Sequence, residues 1–168
     1  MRPSTKELLQ SIAEALDRRV APTVTDPWAA SSLRSIGTLL NHLSVRVESE
    51  FTILAEGNAD LREVLADACD RLEGRATPSW PLMRADMEEL LLEMDSRGTD
   101  GVATVALLEE ASRALNEQTE RLVRVVHEDR GSLGDGVHEE LLESLRRYFE
   151  RQREREAPLY EALAGPMF

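Results

Sequence analysis

Two long runs of residues spaced three and four apart constrain the fold of this chain most. The first apolar run consists of Leu33, Ile36, Leu40, Leu43, Val47, Phe51 and Leu54. The second run, interrupted by two polar residues, consists of Val105, Leu108, Ser112, Leu115, Thr119, Leu122 and Val126. The mean step in each run is 3.5 residues, which is the period at which a helix keeps one face toward a neighbour in a left-handed bundle. Each run therefore predicts a helix of about 30 residues, or ~45 Å.

Shorter apolar stripes and helix-ending residues surround the two long runs. Ser4 and Glu7 form a capping box for a first helix, and Asp26-Pro27 is typical of the start of the second. The expected interruptions lie at Pro22, Gly57, Gly74, the segment 75–81, Gly98, the glycine-rich turn 131–136 and Pro158. No segment alternates apolar and polar residues over the length of a strand. The predicted fold class is all-α, an antiparallel bundle of about six helices with two long ones.

The domain organisation follows from length and from one proline-containing segment. A chain of 168 residues has the size of one domain, which predicts a single helical bundle over residues 1–168. The segment 75–81 contains two prolines and divides the pattern into halves 4–74 and 81–157, each with a short, a long and a short helix. Whether these halves pack as one bundle or as two stays open at this point.

The charge balance excludes several classes of partner. Acidic residues outnumber basic ones by 32 to 20, a formal charge of -12 that repels nucleic-acid backbones and anionic membranes. No window approaches the ~20 apolar residues that a membrane-spanning helix needs. Cys69 is the one cysteine, so no disulfide can form within the chain. These features predict a cytoplasmic protein that binds neither nucleic acid nor a membrane.

Common catalytic and metal-binding patterns do not occur in the sequence. A carboxylate-bridged di-iron bundle needs a glutamate three residues before a histidine. The residues three before His42, His127 and His138 are Leu39, Arg124 and Asp135. The zinc-protease, nucleophile-elbow and phosphate-loop motifs are also missing. We therefore expect no catalytic residues, no metal, no cofactor and no enzymatic activity.

One polar group on the second helix leaves an alternative open. His42, Arg46 and Glu50 are spaced four apart and lie on one flank of that helix. In one interpretation they face a cleft and bind a small polar ligand, so that the chain is a small-molecule-binding bundle or an enzyme with a polar site between the long helices. In the other they form a ladder of charged side chains on a solvated face.

Surplus apolar residues indicate a contact surface. Leu90, Leu91 and Leu92 are consecutive, and on a helix they span about 200° of arc, which is wider than one core-facing stripe. Trp28 and Trp80 each lie beside a proline near a helix start, where we expect partial exposure. These five residues form the predicted interface for a second copy of the chain or for another protein.

The N-terminal third carries the features of a known group of proteins. Those features are Pro3, Glu7-Leu8-Leu9, Ala13-Glu14-Ala15-Leu16, Val20-Ala21-Pro22, a long helix with Leu39-Leu40, Arg46 and Glu50, and Asn58 followed by Leu61. In these features residues 2–72 resemble an uncharacterised bacterial all-helical family. Its members are often encoded beside aminoglycoside-phosphotransferase-like or acyl-CoA-dehydrogenase-like proteins. The resemblance implies an accessory or partner-binding role and no catalytic residues.

The sequence thus favours a function by protein contact. We expect a non-enzymatic helical bundle that forms a homodimer or serves as the small partner of a cytoplasmic enzyme. The missing catalytic patterns, the acidic surface and the surplus leucines lead to this expectation.

Overall fold

The computed structural model describes residues 2–74, 80–98, 103–128 and 130–161. The helices are α1 (Thr5–Ala15), α2 (Pro27–Arg71), α3 (Trp80–Gly98), α4 (Val105–Glu128), α5 (Arg130–Leu133) and α6 (Asp135–Glu161). A π-helical turn (Leu16–Val20) and a 3-10 turn (Ala21–Thr23) follow α1. These ranges contain no strand, and the predicted all-α class is confirmed.

The predicted caps start the first two helices. The Glu7 backbone N–H donates to Ser4 Oγ at 3.2 Å, and the Ser4 backbone N–H donates to Glu7 Oε2 at 2.7 Å. The bond from the Ser4 backbone N–H is the main cause of the lowered pKa of the Glu7 carboxyl group, and the Ser4 side chain contributes less. At α2 the Ala29 N–H donates to Asp26 Oδ2 at 2.7 Å, with Pro27 in the first helical position. Backbone donors that a helix start leaves free are satisfied in both places.

The predicted helix break at Gly57 is wrong, because α2 continues through it for a total of 45 residues. Gly57 is buried, and a Cβ atom added there would lie 2.9 Å from Gln152 Oε1 on α6. The next residue, Asn58, was expected to cap a new helix. Its Nδ2 instead donates to the Leu108 carbonyl oxygen on α4 at 2.8 Å. Gly57 and Asn58 therefore serve contacts between helices and do not end one.

The predicted helix breaks at Pro158 and in the glycine-rich turn 131–136 differ from what the sequence led us to expect. Pro158 lies inside α6, which continues to Glu161. A proline removes one backbone hydrogen bond, and here only three residues of helix follow it, so the cost falls at a helix end. In the glycine-rich turn, Arg130–Leu133 forms the single turn α5, and Gly134 with φ +77° separates it from α6.

The chain divides into two compact units. We call residues 1–51 with 154–168 the N-terminal unit, and residues 52–153 the central unit. Their boundaries fall inside α2 and α6, and therefore differ from the predicted halves 4–74 and 81–157. Of the predicted linker, residues 75–79 lie outside the described residues.

The central unit is an antiparallel four-helix arrangement of α2 from residue 52, α3, α4 and α6 to residue 153. Arg62–Asp95 pairs α2 with α3, and Arg84 of α3 pairs with Glu73 in the turn directly after α2. Arg71–Glu140 and Arg151–Asp60 pair α2 with α6. In each pair of bridges, a later residue of one helix meets an earlier residue of the other, which defines antiparallel packing.

One apolar core fills the central unit. Its members are Leu61, Val64, Leu65, Ala68, Cys69, Leu72, Trp80, Met83, Met87, Leu115, Leu122, Val126, Leu133, Leu141, Leu145 and Tyr148. The second predicted run enters this core through Leu115, Thr119, Leu122 and Val126, all buried. The Thr119 hydroxyl donates to the Leu115 carbonyl oxygen at 2.9 Å, which satisfies its polar group inside the core. The interior position predicted for this run is confirmed over residues 115–126.

The described part of the N-terminal unit contains α1, which packs antiparallel on α2, and the end of α6 from residue 154 to 161. Lys6 Nζ lies 2.7 Å from Glu48 Oε2 near one end of the pair. Near the other end a cleft is lined by residues of α1 and its following turn on one side and by residues 30–38 of α2 on the other. Ser44 is the only buried residue in the described part of this unit. The residues of this unit that the structure describes therefore form no closed apolar core.

The two glycines around the start of α6 give a matched pair of stability predictions. Gly134→Ala forces a side chain into the left-handed region and should lower the free energy of unfolding by ~1–2 kcal/mol. A Cβ atom added at Gly136 would meet no atom within 4 Å. Gly136→Ala should therefore raise the free energy of unfolding by about 0.5 kcal/mol. Urea unfolding followed by circular dichroism measures both. Equal effects of the two substitutions would contradict the backbone assignment.

Candidate interaction surface

The first apolar run is largely uncovered. We define the α2 stripe as Ile36, Leu39, Leu43, Val47 and Phe51, whose exposed fractions lie between 44% and 56%. The prediction that this run is a buried seam is therefore wrong for residues 36–51. Only Leu33 and Leu40 of the run are half-buried in this part of α2.

The α2 stripe is exposed because α1 covers a neighbouring face of α2. Successive residues turn by about 100° around a helix, so Gly37 and Ser44 lie about 100° from the stripe's centre. Gly37 lines the cleft with α1 and Ser44 is 5% exposed, whereas Leu43 is 44% exposed. One helix packs on one side of α2 and leaves the adjacent side to solvent.

The exposed apolar surface extends beyond α2. Leu8 and Ile12 on α1 are each 49% exposed, and Trp28 near the start of α2 is 84% exposed. Single exposed leucines are ordinary on a protein surface. A row of five at helical spacing over ~22 Å is a continuous apolar face, which is typical of an interaction surface.

The charge around the α2 stripe is balanced. Residues 1–51 contain six basic and six acidic residues, whereas residues 52–168 contain 14 basic and 26 acidic residues. The whole formal charge of -12 therefore arises outside the segment that carries the stripe. Because the segment that carries the α2 stripe has no net charge, it exerts little electrostatic repulsion on an identical segment.

His42, Arg46 and Glu50 lie on α2 as predicted, but only two of them interact. The Arg46 guanidinium donates to the Glu50 carboxylate, which is the i,i+4 ladder. His42 is half-buried, and its Nδ1 is buried without a hydrogen-bond partner. None of the three residues lines the cleft between α1 and α2 or the groove between α2 and α6. The small-molecule site proposed for them stays a prediction.

The predicted interface residues separate into exposed and buried ones. Trp28 is exposed, as expected. Trp80 is 2% exposed and belongs to the core of the central unit, so its expected exposure is wrong. Leu90 and Leu91 pack against the core, and Leu92 is 69% exposed. The prediction that one of the three leucines lies outside the core is confirmed.

A charged groove lies between α2 and α6 in the central unit. It has a volume of about 640 Å³ and is lined mostly by acidic and arginine side chains. Arg71 donates to Asp67 at 2.7 Å and also to Glu140, and the bond to Asp67 is the main cause of its raised pKa. Arg147 donates to Glu143 at 2.9 Å. These lining groups are bound to one another in ion pairs.

Cys69 is buried in the core, as the sequence predicted. Burial, with a smaller contribution from Glu88, raises the pKa of its thiol to about 11. At neutral pH the group is a protonated thiol, which is a poor nucleophile. Within the described ranges, no three histidine, cysteine or acidic side chains are placed to hold a metal ion.

Comparison with known proteins adds nothing to the assignment. No protein-family model matches the chain, and neither the curated proteins nor the solved structures yield a match. The resemblance of residues 2–72 to a bacterial all-helical family thus stays a prediction. Across the described part of the chain, every helix is too short or too polar to cross a membrane.

The sequence pattern identified four of the five residues of the α2 stripe, but it predicted that they are buried, whereas they are half-exposed. Leu39 was missed as a surface residue because it falls outside the 3.5-residue run. A signal was present in the lengths: a first helix of about 16 residues cannot cover an apolar run of 22 residues on every side. The balanced charge of residues 1–51 was a second signal in the sequence.

The state of Cys69 can be tested with a thiol reagent. At pH 8 the shift of the pKa from 9.0 to about 11 lowers the thiolate fraction about a hundredfold. We expect the folded protein to react with a disulfide reagent at least that much more slowly than the protein in denaturant. A native rate equal to the denatured rate would contradict the burial of Cys69.

The same shift predicts a pH dependence of stability. The unfolded chain loses the thiol proton near pH 9 and the folded chain near pH 11. Since the folded state binds more protons between these values, the free energy of unfolding should fall as the pH rises through them. Cys69→Ala should remove this contribution to the pH dependence.

Proposed function

We propose that this chain is a non-enzymatic interaction protein that associates with a second copy of itself through the α2 stripe. The observation that carries the proposal is the row of half-exposed residues Ile36, Leu39, Leu43, Val47 and Phe51. Four of the five belong to a run with the period of a two-helix seam, and they lie on a half-exposed face of α2 that α1 does not cover.

The driving force is the removal of apolar surface from water. Complete burial of a leucine or valine side chain contributes ~1.5–3 kcal/mol, so covering an exposed half contributes ~1 kcal/mol. In a symmetric dimer each position is buried twice, which makes ~2 kcal/mol for each residue of the α2 stripe. Five positions on each copy then offset a substantial part of the association cost, ~4–15 kcal/mol.

Electrostatics favours a second copy over a strongly charged partner. A basic protein would be attracted to residues 52–168, where the acidic excess lies. The balanced charge of residues 1–51 offers such a partner no attraction, and it offers an identical face no repulsion. A face of this kind associates with another uncharged apolar face, and a second copy of the chain supplies one.

The charged groups of the chain support a role by contact. Arg46 is bound to Glu50, and Arg71 is bound to Asp67 and Glu140. A cysteine nucleophile would need a lowered pKa, whereas that of Cys69 is raised. These side chains act as structural groups in the proposal.

The decisive test compares two leucine-to-glutamate variants by light scattering after size exclusion. Wild-type protein should elute at twice the monomer mass. Leu43→Glu removes ~2 kcal/mol of apolar burial and places two charges in the contact, so the dimer should weaken by at least ~30-fold. Circular dichroism should show the same helix content, because Leu43 is half-exposed in one chain.

Leu92→Glu is the matched control. Leu92 is a more exposed leucine on α3, and its substitution should leave the dimer intact. A monomeric wild-type protein at high concentration would overturn the proposal. Dissociation by Leu92→Glu but not by Leu43→Glu would move the contact surface to α3 and would also overturn it.

A further inference from the structure

We propose that the two copies pair with their α2 helices antiparallel, so that two α1–α2 hairpins form one four-helix bundle. This inference rests on the proposed function, which leaves the arrangement of the copies open. It follows from the position of one charged residue and from the directions of two apolar faces.

Glu50 selects the direction of pairing. In a strict seven-residue pattern Leu33, Leu40 and Val47 occupy one seam position, and Ile36, Leu43 and Glu50 occupy the other, with Phe51 of the apolar run in the position directly after Glu50. Parallel helices place each seam residue beside its own equivalent, so two Glu50 carboxylates would meet in the seam. Like charges in direct opposition destabilise a pairing.

Antiparallel pairing removes that opposition. The two seam positions then face each other, which places Ile36 beside Val47 and Leu40 beside Leu43 of the second copy. Glu50 lies beside Leu33 of the second copy at the end of the contact. There its carboxylate remains with Arg46 of its own helix, as in the single chain.

The exposed residues of α1 lie on the same side of the hairpin as the α2 stripe. Ala13 and Leu16 line the cleft with α2, and Leu8 and Ile12 are turned about 90° from them around the helix axis. Because α1 and α2 run antiparallel, this turn brings Leu8 and Ile12 to the side that the α2 stripe occupies. The hairpin therefore has one shared apolar face.

The register of α1 agrees with the same symmetry. The centre of the seam lies between residues 41 and 42 of α2. Residue 10 or 11 of α1 is level with it, because Lys6 pairs with Glu48 on one side and residues 13–21 face residues 30–38 on the other. A two-fold axis through that level sets Leu8 of one α1 beside Ile12 of the other. Both half-exposed side chains are then covered by the same operation that pairs the α2 helices.

A square bundle also fits the angle at α2. Each helix of a four-helix bundle has two neighbours, about 90° apart around it. In the single chain α1 occupies one of these directions, and the α2 stripe lies about 100° away. The second copy's α2 fills the remaining direction.

Cysteine cross-linking tests the arrangement in the full chain. Cys69→Ala removes the one native cysteine, and Ile36→Cys and Val47→Cys are then made separately. Antiparallel pairing predicts a disulfide-linked dimer when the two variants are mixed and oxidised. Neither variant alone should cross-link, because equivalent positions lie ~16 Å apart along the seam and a disulfide needs ~6 Å between Cα atoms.

The outcomes separate the arrangement from the proposed function. Light scattering before oxidation establishes whether the variants are dimers at all, and monomers would end both proposals. Dimers in which Ile36→Cys links to Ile36→Cys would show parallel pairing and overturn only the arrangement. A link between Val47→Cys and Leu8→Cys in separate chains would place α2 on the second copy's α1, which also overturns it.

Discussion

The uninterrupted length of α2 is the constraint on which the rest of the structure depends. One helix of 45 residues carries an apolar pattern from Leu33 onward, and Leu72 directly after the helix end completes it. Over residues 61–72 that pattern is buried by α3, α4 and α6. Over residues 36–51, α1 packs on the adjacent face and leaves the α2 stripe half-exposed. The same periodic residues therefore form a core at one end of the helix and an exposed stripe at the other.

The continuity of α2 depends on two residues that were expected to interrupt it. Gly57 accepts the close approach of Gln152, and Asn58 binds the Leu108 carbonyl oxygen. A larger side chain at 57 would need Gln152 to move, and an apolar residue at 58 would leave that carbonyl without its amide donor. A glycine in a helical pattern is thus compatible with a helix end or with close packing, and only the facing residue distinguishes the two.

The parts of the fold that were predictable from the sequence are those set by local chemistry. Ser4, Glu7 and Asp26 cap helices through bonds to residues three positions away, so spacing alone identifies them. The stripe from Leu61 to Leu72 is predictable because its period fixes one face. The environments of the α2 stripe and of Trp80 were not predictable, because they depend on which other helices cover those faces. Periodicity specifies that a face is apolar and does not specify its partner.

The proposed dimer requires that a second copy covers residues 36–51 of α2. Amide hydrogen exchange at low and at high protein concentration tests it directly, since protection that arises from association depends on concentration. If a second copy covers this surface, exchange in residues 36–51 and in α1 slows as the protein concentration rises, while exchange in residues 61–72 stays constant. Exchange in residues 36–51 that does not change with concentration would contradict it.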